Sequence, residues 1–257
     1  MSDVNCHNII KEIENLFPIG LAMEFDNTGL LIGSKNANIK KIFLCLEATK
    51  QNISDALDYS ADLIISHHPI IFTPIKKIVD TDYKCYAIIK LIENKTSFYC
   101  AHTNFDIADK GLNDILAKKI GLKDIKKYNS FIGRIGILEN EKTLEDFAKH
   151  IKKILNCKAL RFIGNKDSKI KKVAVCSGSG ANFIENIFSI GTDVYLTSDI
   201  RHHDAILASE LNLNIIDAGH FETENLFCDF MFDFLTKKFP KIEIIKSKAS
   251  GFFNTFD

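Results

Sequence analysis

The chain has 257 residues, enough for one large domain or two of ordinary size. Its 46% hydrophobic and 26% charged residues are those of a globular protein with a sizeable core. Lys+Arg and Asp+Glu balance at 33 each, which excludes a global electrostatic pull toward nucleic acid, membrane surfaces or acidic ligands.

The predicted elements follow in order. Ile9, Ile10, Ile13, Leu16 and Phe17 have helical spacing, and Pro18 and Gly20 close that helix. The polar turn Glu24–Gly29 leads into the strand Leu30-Leu31-Ile32-Gly33. A strand over 42–46 ends at Glu47, a helix spans about 50–60, and the apolar run Asp62–Ile65 reads as a buried strand ending in Ser66-His67-His68-Pro69. A loop to about 80, a helix over 82–94, a strand over 97–101 and an amphipathic helix over 111–122 complete the first half. Lys118, Lys119, Lys123, Lys126 and Lys127 read as a solvated helix end and loop.

The second half repeats this order. A helix spans 144–155, and strands cover 160–163 and 173–176. Gly178-Ser179-Gly180 opens a helix to about 190 and reads as a tight turn or an anion site. A strand over 194–197, a helix over 202–211, a strand at 215–216, a helix over 224–239 stopped by Pro240, and a strand over 241–246 follow. Adding 131 carries Gly33 to Gly164, Lys40-Lys41 to Lys171-Lys172, Cys45 to Cys176, Asp62 to Asp193 and Ser66 to Thr197. Further on, Ala101-His102-x-x-x-Asp106 falls on Gly219-His220-x-x-x-Glu224. The expectation is an α/β protein of two similar lobes made by an internal repeat, with a metal-binding cleft between them. The lobes are expected over 1–127 and 128–257, with the segment from about 226 to 257 either staying in the second lobe or returning to the first.

The seven cysteines are odd in number and form no Cys-x-x-Cys pair, a reduced intracellular pattern. Asp3, Lys11, Glu12 and Glu14 break up the apolar residues of the N-terminal segment, which does not read as a secretory leader. No apolar run is long enough for a bilayer, so a cytoplasmic location is expected.

Chemistry concentrates at strand C-terminal ends, where open α/β sheets place their ligand sites. Glu47, His67, His68, His102 and Asp106 lie there in the first half, and Asp199, His203, His220 and Glu224 in the second. Several imidazoles with carboxylates suit a borderline divalent ion such as zinc, manganese or iron. Asp26-Asn27 reads as an Asx turn, and His7, His150 and His202 as surface or core-edge residues without a role.

Phe25-Asp26-Asn27-x-Gly29-Leu30, Ser66-His67-His68-Pro69, His102-Thr103-Asn104-Phe105-Asp106, Thr197-x-Asp199-x-x-x-His203 and Gly219-His220-x-x-Thr223-Glu224 together resemble the motifs of the GTP cyclohydrolase 1 type 2 homologue family, also called Ngg-interacting-factor-like. The resemblance spans almost the whole chain. It implies a site for two divalent metal ions, with ligands at His67, His68, Asp106, His220 and Glu224 and with Glu224 as the bridge. It places His102, Asp199 and His203 beside the metals, with His102 and His203 as proton carriers. It also implies a toroidal homohexamer. Phe25 stands where the family has Trp, Glu47 where it often has Asp, and Ser198 where it often has Gly; an Asn-Pro near the C-terminus is missing. Two functions follow: a dinuclear metal-dependent hydrolase of a small molecule, GTP cyclohydrolase-like by the family name, or a metal-binding oligomeric scaffold without turnover. No Gly-x-x-x-x-Gly-Lys loop marks a nucleotide.

Overall fold

Two α/β lobes, each built on its own sheet, account for the computed structural model, which describes residues 4–128 and 131–254 and, of Phe131, the backbone only. The first unit comprises residues 1–109 and 227–249, the second 110–226 and 250–257.

The first unit opens with α1 (Cys6–Leu16), whose N-terminus is closed by a reciprocal box between Asn5 and Asn8. Then come β1 (Gly29–Ile32), β2 (Lys41–Cys45), α2 (Lys50–Asp58), β3 (Leu63–Ser66), α3 (Tyr83–Glu93), β4 (Ser97–Cys100) and α4 (Thr103–Ile107). Strands β2, β3 and β4 are parallel, and β1 runs antiparallel beside β4. The central strands are apolar throughout because a parallel sheet covered by helices buries both faces. Phe43, Cys45, Ile64, Phe98 and Cys100 share one cluster with Ile53 and Ala56 of α2 and Ile88 and Leu91 of α3.

The second unit starts with α5 (Leu112–Lys119), β5 (Lys123–Tyr128) and β6 (Phe131–Thr143). It continues through α6 (Leu144–Ile154), β7 (Arg161–Ile163), β8 (Lys169–Ser179), α7 (Ile184–Ile190), β9 (Val194–Ser198), α8 (His202–Glu210), β10 (Asn214–Asp217) and α9 (His220–Glu224). Strands β8, β9 and β10 are parallel, with β7 antiparallel beside β10. Alternate residues serve opposite faces, as strand geometry requires. Val173, Val175, Val194 and Leu196 pack with Phe147 and Ile151 of α6, whereas Ala174, Cys176 and Tyr195 pack with Ile184 and Ile187 of α7.

The repeat extends to hydrogen bonds. Asp62 Oδ2 accepts from the amides of Lys40 and Lys41 at 2.7 and 2.9 Å; 131 residues on, Asp193 Oδ2 accepts from Lys171 and Lys172 at 2.8 and 2.7 Å. Lys41 Nζ reaches the Tyr59 carbonyl, and Lys172 Nζ the Ile190 carbonyl.

Each unit is completed by elements that follow the other's motif in sequence. Helix α10 (Leu226–Lys238) and β11 (Glu243–Lys246) come after α9, yet β11 pairs in parallel with β2 and α10 belongs to the first unit from Phe227 on. Phe227 stands 5.2 Å, ring to ring, from Phe105 and from His67. Conversely α5 comes after α4 but is fixed to β6 by the fork of Arg134 on Asp114, with Nε–Oδ1 at 3.0 Å and Nη2–Oδ2 at 2.9 Å. An expected lobe division at residue 127 falls inside the second sheet, because β5 pairs with β6. The lysines read as a loop are the edge strand β5, where charge keeps an open edge from pairing with other chains. The helix expected over 224–239 is α10, and Glu224 closes the separate turn α9 before it. Among the described residues no helix is long and apolar enough to cross a membrane.

Candidate metal centre

In the first unit the site grows from the end of β3. Strand pairing continues past Ser66: the His67 amide donates to the Cys45 carbonyl and the His68 amide to the Leu46 carbonyl. The Ser66 hydroxyl then donates to the His68 carbonyl at 2.7 Å and fixes the turn. The two rings lie 5.0 Å apart, tilted by 43°. His102 caps α4 from the end of β4, its ring 5.2 Å from both. One ring nitrogen from each of His67, His68 and His102 falls within a common 4.8 Å. Asp106 Oδ1, buried on α4, is 3.6 Å from His67 Nε2.

Each of these imidazoles is held through Nδ1. His67 Nδ1 donates to the Ala101 carbonyl at 2.8 Å, His68 Nδ1 to Glu47 Oε1 at 2.7 Å and His102 Nδ1 to Asp26 Oδ1 at 2.8 Å. A carbonyl or carboxylate only accepts, so Nδ1 carries a proton in each. Acceptors behind histidines in this way orient metal ligands and raise their basicity. Asp26 also accepts from the Thr103 amide and hydroxyl, at 3.0 and 2.5 Å. Burial alone would raise its carboxyl, but the bonds from His102 and Thr103 outweigh it and hold it at about 2.

The second unit repeats the device once. His220 Nδ1 donates to Asp199 Oδ2 at 2.7 Å, and His220 Nε2 lies 2.9 Å from Glu224 Oε2. Burial would lower His220, yet Glu224 and then Asp199 push it up to about 9. This pair holds a proton that an incoming cation must displace. Gly178 makes room for the carboxylate: its φ is +60°, and a Cβ there would stand 1.9 Å from Glu224 Oε1. Its amide donates to Thr223 Oγ1 at 3.0 Å, and its carbonyl accepts from the Ser198 and Thr197 hydroxyls. Gly178 and Ser179 are thus the last residues of β8, where a tight turn or an anion site was expected.

His203 lies exposed on the first turn of α8, its ring 5.6 Å from that of His202. Among the described residues no hydrogen bond or ring contact joins it to His220 or Glu224. Asp26, Thr103 and Thr223 carry parts of the site that the residue-by-residue reading left without a role. Asp26 Oδ1 accepts from the amide of the adjacent Asn27 at 2.7 Å, not from one two residues on as in the expected Asx turn, and the same oxygen accepts from His102. The signal was its place in the motif Phe25-Asp26-Asn27-x-Gly29.

A profile of the Duf34/NIF3 (NGG1p interacting factor 3) family matches residues 4–251. Two curated relatives carry the name GTP cyclohydrolase 1 type 2 homolog. That of Clostridium perfringens is 36% identical over 225 residues, covering 85% of this chain and 86% of its own. That of Methanocaldococcus jannaschii is 36% identical over 219 residues, covering 84% and 88%. Among solved structures, a Bacillus cereus protein related to NIF3 has a TM-score of 0.90 at 25% identity, with both chains covered completely. Reduced HcgD from Methanocaldococcus jannaschii has a TM-score of 0.84 at 32% identity, covering 97% of this chain and 100% of its own.

Proposed function

The chain belongs to the Duf34/NIF3 family, and from that premise we propose that it is a hydrolase of small molecules that works with two divalent metal ions. His67, His68, Asp106, His220 and Glu224 are the residues that would hold the ions. The observation that carries this reading is that four histidines each have Nδ1 donating to an oxygen, the support that orients a metal-binding imidazole. Imidazoles with carboxylates suit zinc, manganese or iron. Such ions supply Lewis acidity toward a carbonyl or phosphoryl oxygen and bring a water molecule to a pKa of about 7.

The chain's own groups do the rest. Glu47, Asp199 and the Ala101 carbonyl keep His68, His220 and His67 in one tautomer and orientation. His102, backed by ionised Asp26, relays a proton between substrate and solvent. His203 is a second proton carrier by family resemblance. The name of the curated relatives makes GTP the first substrate to assay, and the same resemblance makes the assembly a homohexamer in the cytoplasm, which light scattering at micromolar concentration checks.

Metal analysis tests the site. Wild type loaded with zinc or manganese should hold two ions per chain, and His67→Ala, His220→Ala and Glu224→Ala should lose them. His102→Ala should keep most of its metal and lose activity by roughly 10–100-fold. Wild type without metal sinks the reading. Full metal without turnover of any nucleotide or phosphoester in a broad panel would leave a metal-bearing scaffold instead.

A further inference from the structure

The histidine cluster of the first unit opens on a cleft of about 370 Å³, part of whose lining the metal reading does not use. His68, His102 and Glu47 line it together with Phe72, Tyr83 and Lys84. The size is at the lower end of small-molecule sites, which fits a one- or two-ring ligand.

Three features of Phe72, Tyr83 and Lys84 point to a ligand class. Phe72 and Tyr83 are 42% and 51% exposed, so two aromatic faces remain open to the cleft. The Phe72 ring stands between those of Phe25, at 6.2 Å, and His102, at 6.3 Å, which holds it beside the cluster. Lys84 is exposed and forms no ion pair among the described residues; its Nζ lies 5.9 Å from the Tyr83 ring. The acidic groups nearby are already engaged. Glu47 accepts from His68 Nδ1, and the Asp82 carboxylate accepts from the amides of Lys84 and Cys85 at 3.0 and 2.9 Å. The lysine is therefore the cation left to meet a ligand, and open aromatic faces favour a flat ring.

We propose that Phe72, Tyr83 and Lys84 form a specificity subsite for a small aromatic anion, its ring against the two aromatic side chains and its charged group near Lys84, presented to His68 and His102. This rests on the reading of His68 as a metal ligand, and it names the substrate class of that site.

Phenylphosphonate and methylphosphonate are suitable probes, because they carry the same anionic group with and without a ring and their C–P bond resists hydrolysis. Calorimetry on the as-purified protein should show phenylphosphonate bound about 10-fold more tightly than methylphosphonate. Phe72→Leu and Tyr83→Leu should erase that preference and leave methylphosphonate unchanged. Lys84→Met should weaken both probes by about 5-fold. All three residues are exposed, so folding is preserved, and metal content measured on the same samples should match wild type. Equal affinity for the two probes in wild type overturns the subsite. So does a ring preference that survives both aromatic substitutions, or a Lys84→Met variant that binds as wild type does. A wild type that shows the ring preference yet takes up no zinc or manganese on loading refutes the metal reading and leaves the subsite standing.

Discussion

The two units are copies that solved the same problem with different residues. In the first, the turn after β3 carries His67-His68, and Glu47 at the end of β2 supplies the carboxylate behind His68. In the second, the positions 131 residues on are Ser198-Asp199 and Gly178. Asp199 now stands where His68 stood and supplies the carboxylate, behind His220. Gly178 stands where Glu47 stood and clears space for Glu224. Donor and supporter have changed places, and each unit still ends with an imidazole whose Nδ1 is fixed.

The backbone sharpens the contrast at the histidine after the last parallel strand. Matching motifs pairs His102 with His220, 118 apart. The hydrogen bonds repeat at 117: Ala101 N to Ser66 O against Ala218 N to Thr197 O, and Asp106 N to His102 O against Thr223 N to Gly219 O. His102 therefore corresponds to Gly219, at φ +91°, and His220 to Thr103. The two histidines sit one residue apart in the frame of the repeat. A longer carboxylate, Glu224 one position after the equivalent of Asp106, accompanies that shift.

The borrowed helices differ as well. Helix α10 joins the first unit through Phe227, Met231 and Leu235, all fully buried; α5 joins the second through Leu116 and Ala117, also fully buried, and adds the fork of buried Arg134 on Asp114. The largest effect should come from breaking that fork. Asp114→Ala leaves a guanidinium in a dry site and should cost about 3–5 kcal/mol in urea unfolding. A loss under 1 kcal/mol would show that apolar contacts hold α5 as they hold α10.

The exchange of donor and supporter is tested by paired substitutions. Glu47→Ala and Asp199→Ala should each lower metal affinity by roughly 10–100-fold, read by competition with a chelator, because each frees an imidazole from its fixed tautomer. If only one variant weakens binding, the copies are not functionally parallel.

Asp26 has no counterpart behind His220, and its effect should be visible without metal. Its carboxyl falls from an ordinary value of 3.8 to about 2 on folding, so the stability it contributes is present above pH 4 and is lost as pH drops through 2. Asp26→Asn should cost about 2 kcal/mol at pH 7 in the metal-free protein, with the difference shrinking toward pH 2. A pH-independent difference would place the effect in shape rather than charge. The smallest effect is expected at Gly178, where Ala should cost about 1 kcal/mol through its left-handed φ and push the Glu224 carboxylate aside. Glu47→Ala, at an ordinary φ, should cost less stability, and equal costs would remove the reason given for the glycine.

The sequence by itself determined the alternating strands and helices, the doubled plan and the histidine turn after β3. Parallel strands buried on both faces leave unbroken apolar runs, and a polar residue at the end of such a run stands out. It did not disclose β5 and β6. An edge strand such as Lys123–Tyr128 buries almost nothing, and its lysines look like a loop; Gly133 and Gly136 interrupt the apolar pattern of its partner. The single turns α4 and α9 are too short for any periodicity. Only the tertiary structure decided which helix joined which unit, because the sequence fixes a helix's apolar face and not the face it meets. It also decided that Asp26 backs His102 across 76 residues of chain, and that the repeat slips by one residue at Gly219. Those depend on distances between segments far apart in sequence, to which local pattern is blind.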